Sequence, residues 1–401
     1  WSVSEGLRRV EAGYSAQKHN AKPFDVLSHI KAADTAGIYL LLDFHPYLED
    51  PLHVRLLKEI ALEAEAKRQT VVLASHAIEP PPELRALCAR FRLQLPDAAA
   101  LEAAVRDEAA AWSRKHGPVH SDAATVQLLA RNLAGLTLTD ARRLARRAIQ
   151  DDGALTPADV PAALRAKHDL LDPDGVLQLV GDGASFEQVG GLARLRDWLG
   201  LRRAAFLRDS EARGLDVPRG ILLLGVQGCG KSLAAKATAG SWGVPLLRLD
   251  FGRLYDKYVG ETEHRLRACL RACEAMAPCV LWVDEIEKGL AIGDHDGGTS
   301  HRVLGTLLTW MAENRQPVFV VATCNDVRTL PPELVRKGRL DEIFFVDLPG
   351  TAARQEILSI HLRQRDLDPG RFDLAALAAG TAGFSGAELE QAVVAALYAA
   401  H

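Results

Sequence analysis

An α/β fold with parallel sheets and helices on both faces is the class that three observations predict. Apolar runs of strand length alternate with helical patterns in two separate stretches, residues 1–96 and 191–350. Such continuous runs, unlike alternating ones, mark strands covered on both sides, as parallel sheets require. A glycine-rich turn at 225–232 joins one apolar run to a helical pattern. Residues 1–171 and 191–401 also match each other in four places, in the same order and at similar separations, which reads as one design used twice.

Taken in order, "FDVLSHIKAADTAG" reads as helix, "IYLLLDF" as strand, "LHVRLLKEIALEAEAKRQ" as helix and "TVVLAS" as strand. "PELRALCAR" then reads as helix and "FRLQL" as a third strand. The first residue, Trp1, reads as lying near the end of a further strand. Residues 97–171 carry no strand pattern and form a helical, lid-like segment with "LTDARRLARRAI" as its clearest amphipathic run. Glycine and aspartate in 172–190 suggest a connector. From "GILLLG" to "IFFVDLP" the α/β alternation resumes over 191–350, and 351–401 reads as a small helical lid, cut short at His401.

Bulk properties narrow the function. A chain of 401 residues is longer than one hydrophobic core commonly supports. A formal net charge of −4 gives no electrostatic reason for a nucleic-acid partner, and no apolar run is long enough for a membrane span. Cys88, Cys229, Cys269, Cys273, Cys279 and Cys324 show no CxxC pairing. Their spacing suits reduced thiols in a cytoplasmic compartment.

The chemistry concentrates in the second stretch. "GVQGCGKS" places Gly225, Gln227, Gly228, Cys229, Gly230, Lys231 and Ser232 between the strand "ILLL" and a helix beginning near Leu233. Glycines let successive backbone N–H groups converge on phosphates, and the helix start adds a favourable field. Lys231 would reach the β- and γ-phosphates of ATP, and Ser232 would ligate Mg²⁺. Cys229, a thiol at a helix start, is also a candidate for acidification and oxidation. The strand "CVLWV" ends in Asp284 and Glu285. Asp284 is suited to hold Mg²⁺, and Glu285 to orient and deprotonate an attacking water. "VFVVATCND" ends a third strand at Asn325, a neutral amide able to position the same water without adding charge. Arg336 and Arg339, eleven and fourteen residues beyond Asn325, are better placed for a neighbouring subunit's nucleotide than for their own. Fingers supplied in trans are worth about 10³ to 10⁵ in rate. A solvated helix-end charge is the plainer reading of Arg336.

"FEQVGGLARL", "GVQGCGKS", "VDEIEK", "ATCND", "LVRKGRLDE" and "GFSGAELEQA" follow in the order and spacing of the AAA+ ATPases, over 186–401. "RLDFGRLYDKYVGETE", "LPPELVRKGRLDEIFFVDLP" and the early "LLLDFHPYL" resemble more closely the AAA+ proteins of the hypothetical chloroplast reading frame forty-six type. The resemblance implies a P-loop AAA+ module, a homo-oligomer of six subunits with ATP between protomers, and Arg336 and Arg339 acting on the adjacent site. It implies that Val189 and Gly190 line the adenine, with His361, Gly386 and Ala387 near the base and ribose. It places Tyr258 and Val259 of "KYVGETE" in a central-pore loop that grips a threaded protein substrate; a loop-packing aromatic is the alternative for Tyr258. "GDHDGGTSHR" resembles a second, mobile pore-side segment.

The first stretch lacks this chemistry. In the internal match Phe44 stands where Glu285 does, His76 falls at Asn325, and Ala86 and Ala89 fall at the two arginines. No GK[ST] loop occurs between residues 1 and 190. The expectation is a degenerate AAA-like module kept for assembly or partner binding. Asp43 and His45 also stand as an acid/base or metal pair. Three functions remain open on these residues: a ring ATPase that threads or remodels a protein, a nucleotide-controlled assembly switch or scaffold that threads nothing, and a nucleic-acid motor, which charge disfavours.

Overall fold

The computed structural model describes residues 1–9, 20–76, 78–91, 93–172, 174–181, 184–208, 214–255, 261–291, 299–326, 328, 330–334 and 338–400, with side chains described at all of these except 261, 289–291 and 299–301. Contacts divide the chain into Trp1–Gln94 and Leu95–His401.

The first unit is a βαβ element with one extra helix: α1 (Pro23–Ala32), β1 (Gly37–Leu42), α2 (Pro51–Lys67) and β2 (Gln69–Ala74). Asp50 caps α2 by accepting the Leu52 N–H at 2.8 Å, and Pro51 occupies the first turn, where no N–H is missed. His53, Val54, Leu57 and Ile60 bury one face of α2, matching the helical period of the sequence. β1 and β2 pair in parallel from Gly37↔Gln69 to Leu42↔Ala74. The Trp1 backbone lies along β1, donating to the Leu40 carbonyl and accepting from the Leu42 N–H.

Three expectations fail here. β1 is covered on one face: Leu41 is fully buried, whereas Ile38 is 78% exposed and Leu40 and Leu42 are exposed with it. "FRLQL" forms no strand among the described residues, and Phe91 and Leu93 stand 89% and 99% exposed without a strand to pair with. "PELRALCAR" yields only a 3-10 turn at Arg85–Leu87; so short a run, entered through Pro80, Pro81 and Pro82, offers too few hydrogen bonds to offset helix nucleation.

In the second unit, α3 (Ala98–His116), β3 (His120–Ser121), α4 (Ala123–Asn132), α5 (Leu138–Asp152), β4 (Ala154–Leu155) and α6 (Val160–Leu171) come first. Side-chain caps from Asp97, Asp122 and Thr137 start α3, α4 and α5. Leu101, Val105, Leu129, Leu133 and Ile149 make the helical core. At the loop after α4 an added Cβ on Gly135 would stand 2.5 Å from the Ala275 carbonyl oxygen, so glycine permits that close approach.

The six-stranded sheet follows: β5 (Leu177–Val180), α7 (Ala193–Leu207), β6 (Gly220–Gly225), α8 (Lys231–Trp242), β7 (Leu246–Leu249), α9 (Phe251–Tyr255), α10 (Glu261–Ala275), β8 (Cys279–Val283), α11 (Ile286–Ala291), α12 (Thr299–Glu313), β9 (Val318–Cys324) and β10 (Glu342–Val346). Its order is β10-β6-β9-β8-β7-β5. The segment 172–190, expected as a connector, contains β5, which pairs antiparallel to β7 and closes one edge. Asp172 stabilises the entry to it, accepting the Leu177 N–H at 2.6 Å. Every residue of β8 and β9 is buried, as continuous apolar runs predict for central parallel strands. A final cluster of α13 (Thr351–Arg363), α14 (Leu374–Gly380) and α15 (Gly386–Ala400) packs Leu358, Leu362, Leu389 and Val393 together.

Candidate functional site

β6, β8 and β9 are adjacent and parallel, so their carboxyl ends open on one edge of the sheet. The strand order reverses there, with β6 between β10 and β9, and such switch points are where open α/β sheets receive ligands.

Gly225 ends β6 and the loop runs through Gln227 and Gly228 to Lys231, the first residue of α8. Gly228 and Gly230 have φ of +81° and +89°, which side chains resist. At Gly225 an added Cβ would fall 2.0 Å from the Val346 carbonyl oxygen. Lys231 is buried, and its Nζ donates to the carbonyls of Gly225 at 2.7 Å and Val226 at 2.8 Å. Burial lowers its pKa, with Cys229, Glu287 and Asp284 partly opposing. A desolvated ammonium held by its own loop's carbonyls is well matched to phosphate oxygens, so the cradle fits a nucleotide. Ser232 is exposed and Leu233 half-buried on the first turn of α8. The Cys229 thiol is pushed up by desolvation despite Lys231 nearby, which argues against the acidified cysteine expected at this helix start.

Asp284 and Glu285 follow β8 directly. The Thr323 hydroxyl donates to Asp284 Oδ1 at 2.7 Å and accepts the Glu285 N–H at 2.8 Å. Arg248 Nη2 reaches Asp284 Oδ2 at 3.0 Å, and its guanidinium lies over the Trp282 ring. Glu285 takes the left-handed conformation, φ +45°. Its Oε1 accepts from Asn325 Nδ2 at 3.2 Å and its Oε2 from Lys288 Nζ at 2.6 Å. These bonds, that from Lys288 first, hold its carboxyl below the ordinary value of 4.5 and hence ionised at neutral pH. Buried Glu287 accepts the Asn325 N–H at 3.0 Å and fixes the end of β9; its Oε2 has no hydrogen-bond partner among the described residues.

The helical cluster of α13, α14 and α15 meets the loop directly. The Ala387 N–H donates to the Gly228 carbonyl at 3.1 Å, and Gly386 lies against the same carbonyl. Ser385 and Glu388 cap each other at the start of α15. Gly190 packs so tightly on α13 that an added Cβ would meet Ile357 at 2.7 Å, and Val189 beside it is buried. His361 bonds Gln364 at 3.2 Å and lies 4.0 Å from Glu390, within the helical cluster. Arg339 is half-buried and donates to the Glu333 carbonyl. Arg336, Tyr258 and Val259 lie outside the described residues, as do most of the residues in "GDHDGGTSHR".

Glu287 and Lys288 were not singled out in the sequence, and neither were Thr323 and Arg248. Thr323 lies inside an apolar strand, where a hydroxyl reads as tolerated packing. Arg248 lies on the neighbouring strand β7, and only the sheet order makes it Asp284's neighbour.

Comparison with known proteins agrees with this geometry. The family described as ATPase family associated with various cellular activities (AAA) matches residues 221–348. The SpoVK-like AAA ATPase N-terminal domain matches 1–93, and the second domain of that type 99–174. The uncharacterized AAA domain-containing protein ycf46 of Trieres chinensis is 35% identical over 405 residues, covering 100% of this chain and 80% of that protein. Its counterpart in Guillardia theta is 35% identical over 92% of this chain and 72% of its own length. The ATP-dependent zinc metalloprotease FtsH 1 of Bdellovibrio bacteriovorus is 35% identical over 52% of this chain and 34% of its own. With a nucleotide cradle, paired acids and a polar strand end on one sheet edge, and with full-length kinship to the ycf46 proteins, the chain belongs to the AAA ATPase family and hydrolyses ATP.

Proposed function

We propose that the chain works as a homo-oligomeric ring of six subunits that hydrolyses Mg-ATP between neighbours and remodels a protein drawn through the central pore. The observation that carries the reading is the meeting of Lys231, Asp284, Glu285 and Asn325 at the carboxyl edge of three adjacent strands. ATP lies along the 225–233 loop, and Lys231 exchanges its own loop's carbonyls for phosphate oxygens. Ser232 and Asp284 would hold Mg²⁺, which would supply charge neutralisation on the phosphates. Glu285 takes the proton of the attacking water, and Asn325 fixes the position of that carboxylate. Arg336 and Arg339 act on the neighbouring subunit's nucleotide, where they stabilise the charge that develops as the γ-phosphate leaves. Val189, Gly190, His361, Gly386 and Ala387 surround the base and ribose, so the contact between Ala387 and Gly228 couples the helical cluster to nucleotide state. Tyr258 and Val259 grip the substrate. Six free cysteines, four of them buried, support a reducing compartment, cytoplasmic or plastid stroma-type.

Substituting Glu285→Gln and Arg336→Ala tests the ring. The first should retain ATP and accumulate as an assembly; the second should lose activity and recover part of it when mixed with Lys231→Ala chains. Full activity in a monomeric fraction would contradict shared sites. One observation favours a second reading, an assembly switch that threads nothing: in the first unit Phe44, at the match of Glu285, is fully buried against Trp1 and Tyr47, so that position serves packing and not hydrolysis and leaves the unit to assembly. Tyr258→Ala separates the two, because a threader keeps ATPase activity and loses remodelling, whereas a switch behaves like the parent in ATPase and partner assays alike.

A further inference from the structure

Asp43, His45 and His76 bring their ligand atoms within 4.8 Å of one another at the carboxyl ends of β1 and β2. Asp43 is the first residue after β1, His45 opens the 3-10 turn His45–Glu49, and His76 follows β2 by two residues. The strands fix this placement: Asp43 donates its backbone N–H to the Ala74 carbonyl at 2.8 Å, tying the two loops together. The His45 and His76 rings meet edge-on, 4.7 Å between centroids and 84° apart. Ser75 Oγ bonds His45 Nδ1 at 2.7 Å, which orients the ring and leaves Nε2 for a ligand bond. Asp43 and His76 are exposed and His45 half-buried, so an ion has an open path and a free coordination position.

We propose that this triad is a binding site for a divalent first-row transition ion of the zinc class, held by two imidazoles and one carboxylate. Two nitrogen ligands favour such an ion over Mg²⁺ or Ca²⁺, which select oxygen. Zinc bonds of about 2.0–2.2 Å put tetrahedral ligands about 3.4 Å apart. The groups therefore need to close by roughly 1.4 Å at most, within the reach of χ rotations of exposed side chains. Asp43 and His76 stand where the internal match has Asp284 and Asn325, so the first unit carries metal-ligand chemistry at the position where the second handles a nucleotide. A water, or a side chain of a recruited protein, completes the coordination.

The test is Zn²⁺ titration of the full, tag-free chain by calorimetry, with Co²⁺ as a spectroscopic probe. One equivalent should bind with micromolar or better affinity and give a visible band of low-symmetry cobalt. The double substitution His45→Gln and His76→Gln should remove that equivalent, and Ser75→Ala should weaken it about 10- to 100-fold, with circular dichroism and ATP turnover unchanged. No saturable binding, or binding that survives the double substitution with the fold intact, overturns the assignment. If the double variant unfolds, Asp43→Asn and Ser75→Ala decide it: unchanged affinity in both overturns the proposal, and loss in both upholds it.

Discussion

The two strand ends, β1 with β2 and β8 with β9, share a frame and differ by one residue in how it is used. In both, a parallel strand pair ends beside an acid and a left-handed residue, Asp43 at φ +50° and Glu285 at φ +45°. Asp43 is the first residue past its strand, whereas Glu285 is the second. Pairing shifts with it: Val283 faces Ala322, whereas Leu42 faces Ala74, one position later in the internal match. A one-residue offset reverses which side chain faces inward. Phe44 consequently enters the core, fully buried, and Glu285 faces Asn325 and Lys288. The bridge changes as well. The second unit closes its strand end with the Thr323 hydroxyl; the first has Ala74 at that match and closes with its backbone carbonyl.

The largest expected effect tests the catalytic side. Glu285→Gln should reduce turnover by about 10² to 10⁴ while ATP binding persists, and near-normal steady-state hydrolysis would remove Glu285 from the water-activating role. Phe44→Ala probes the other side: it should lower the stability of the first unit by about 3–5 kcal/mol, seen in denaturant unfolding, with turnover per folded chain retained. A large loss of activity without loss of stability would mean that Phe44 is not a packing residue. Next comes Thr323→Val, similar in shape but without the hydroxyl bridge. Leaving the Glu285 N–H and Asp284 Oδ1 unpartnered costs stability, about 1–3 kcal/mol, and frees the two acids from their set positions, so kcat should fall as well. The smallest effect is on pH. Because bonds from Lys288 and Asn325 keep the folded Glu285 below its ordinary value, the acid limb of kcat lies below the usual glutamate range. Lys288→Met should move that limb upward toward 4.5, with little change at neutral pH; an unmoved limb would contradict the cause.

Much of the second unit was legible because its elements are long, apolar and punctuated by glycine: β6, β8 and β9 all fall on the predicted runs. Asp284, Glu285 and Asn325 were legible for the same reason, each lying just past or at a strand end, and Lys231 because a glycine-rich loop leads from β6 into the helix it opens. β5 was not, because four residues between aspartates and glycines pattern like a loop and are recruited only by pairing with β7. Arg248 and Thr323 required the sheet order. "FRLQL" failed in the opposite direction, since strand propensity without a neighbouring edge forms no strand. The grouping of Asp43 with His45 and His76 needed the β1–β2 register, which no local pattern contains.

The central claim is that one of these two strand ends handles nucleotide. Counting ATP bound per chain in the Glu285→Gln background measures it most directly. One nucleotide per chain, reduced to none when Lys231→Ala is added, is the predicted result. Two per chain, or one that persists after Lys231→Ala, would contradict the account.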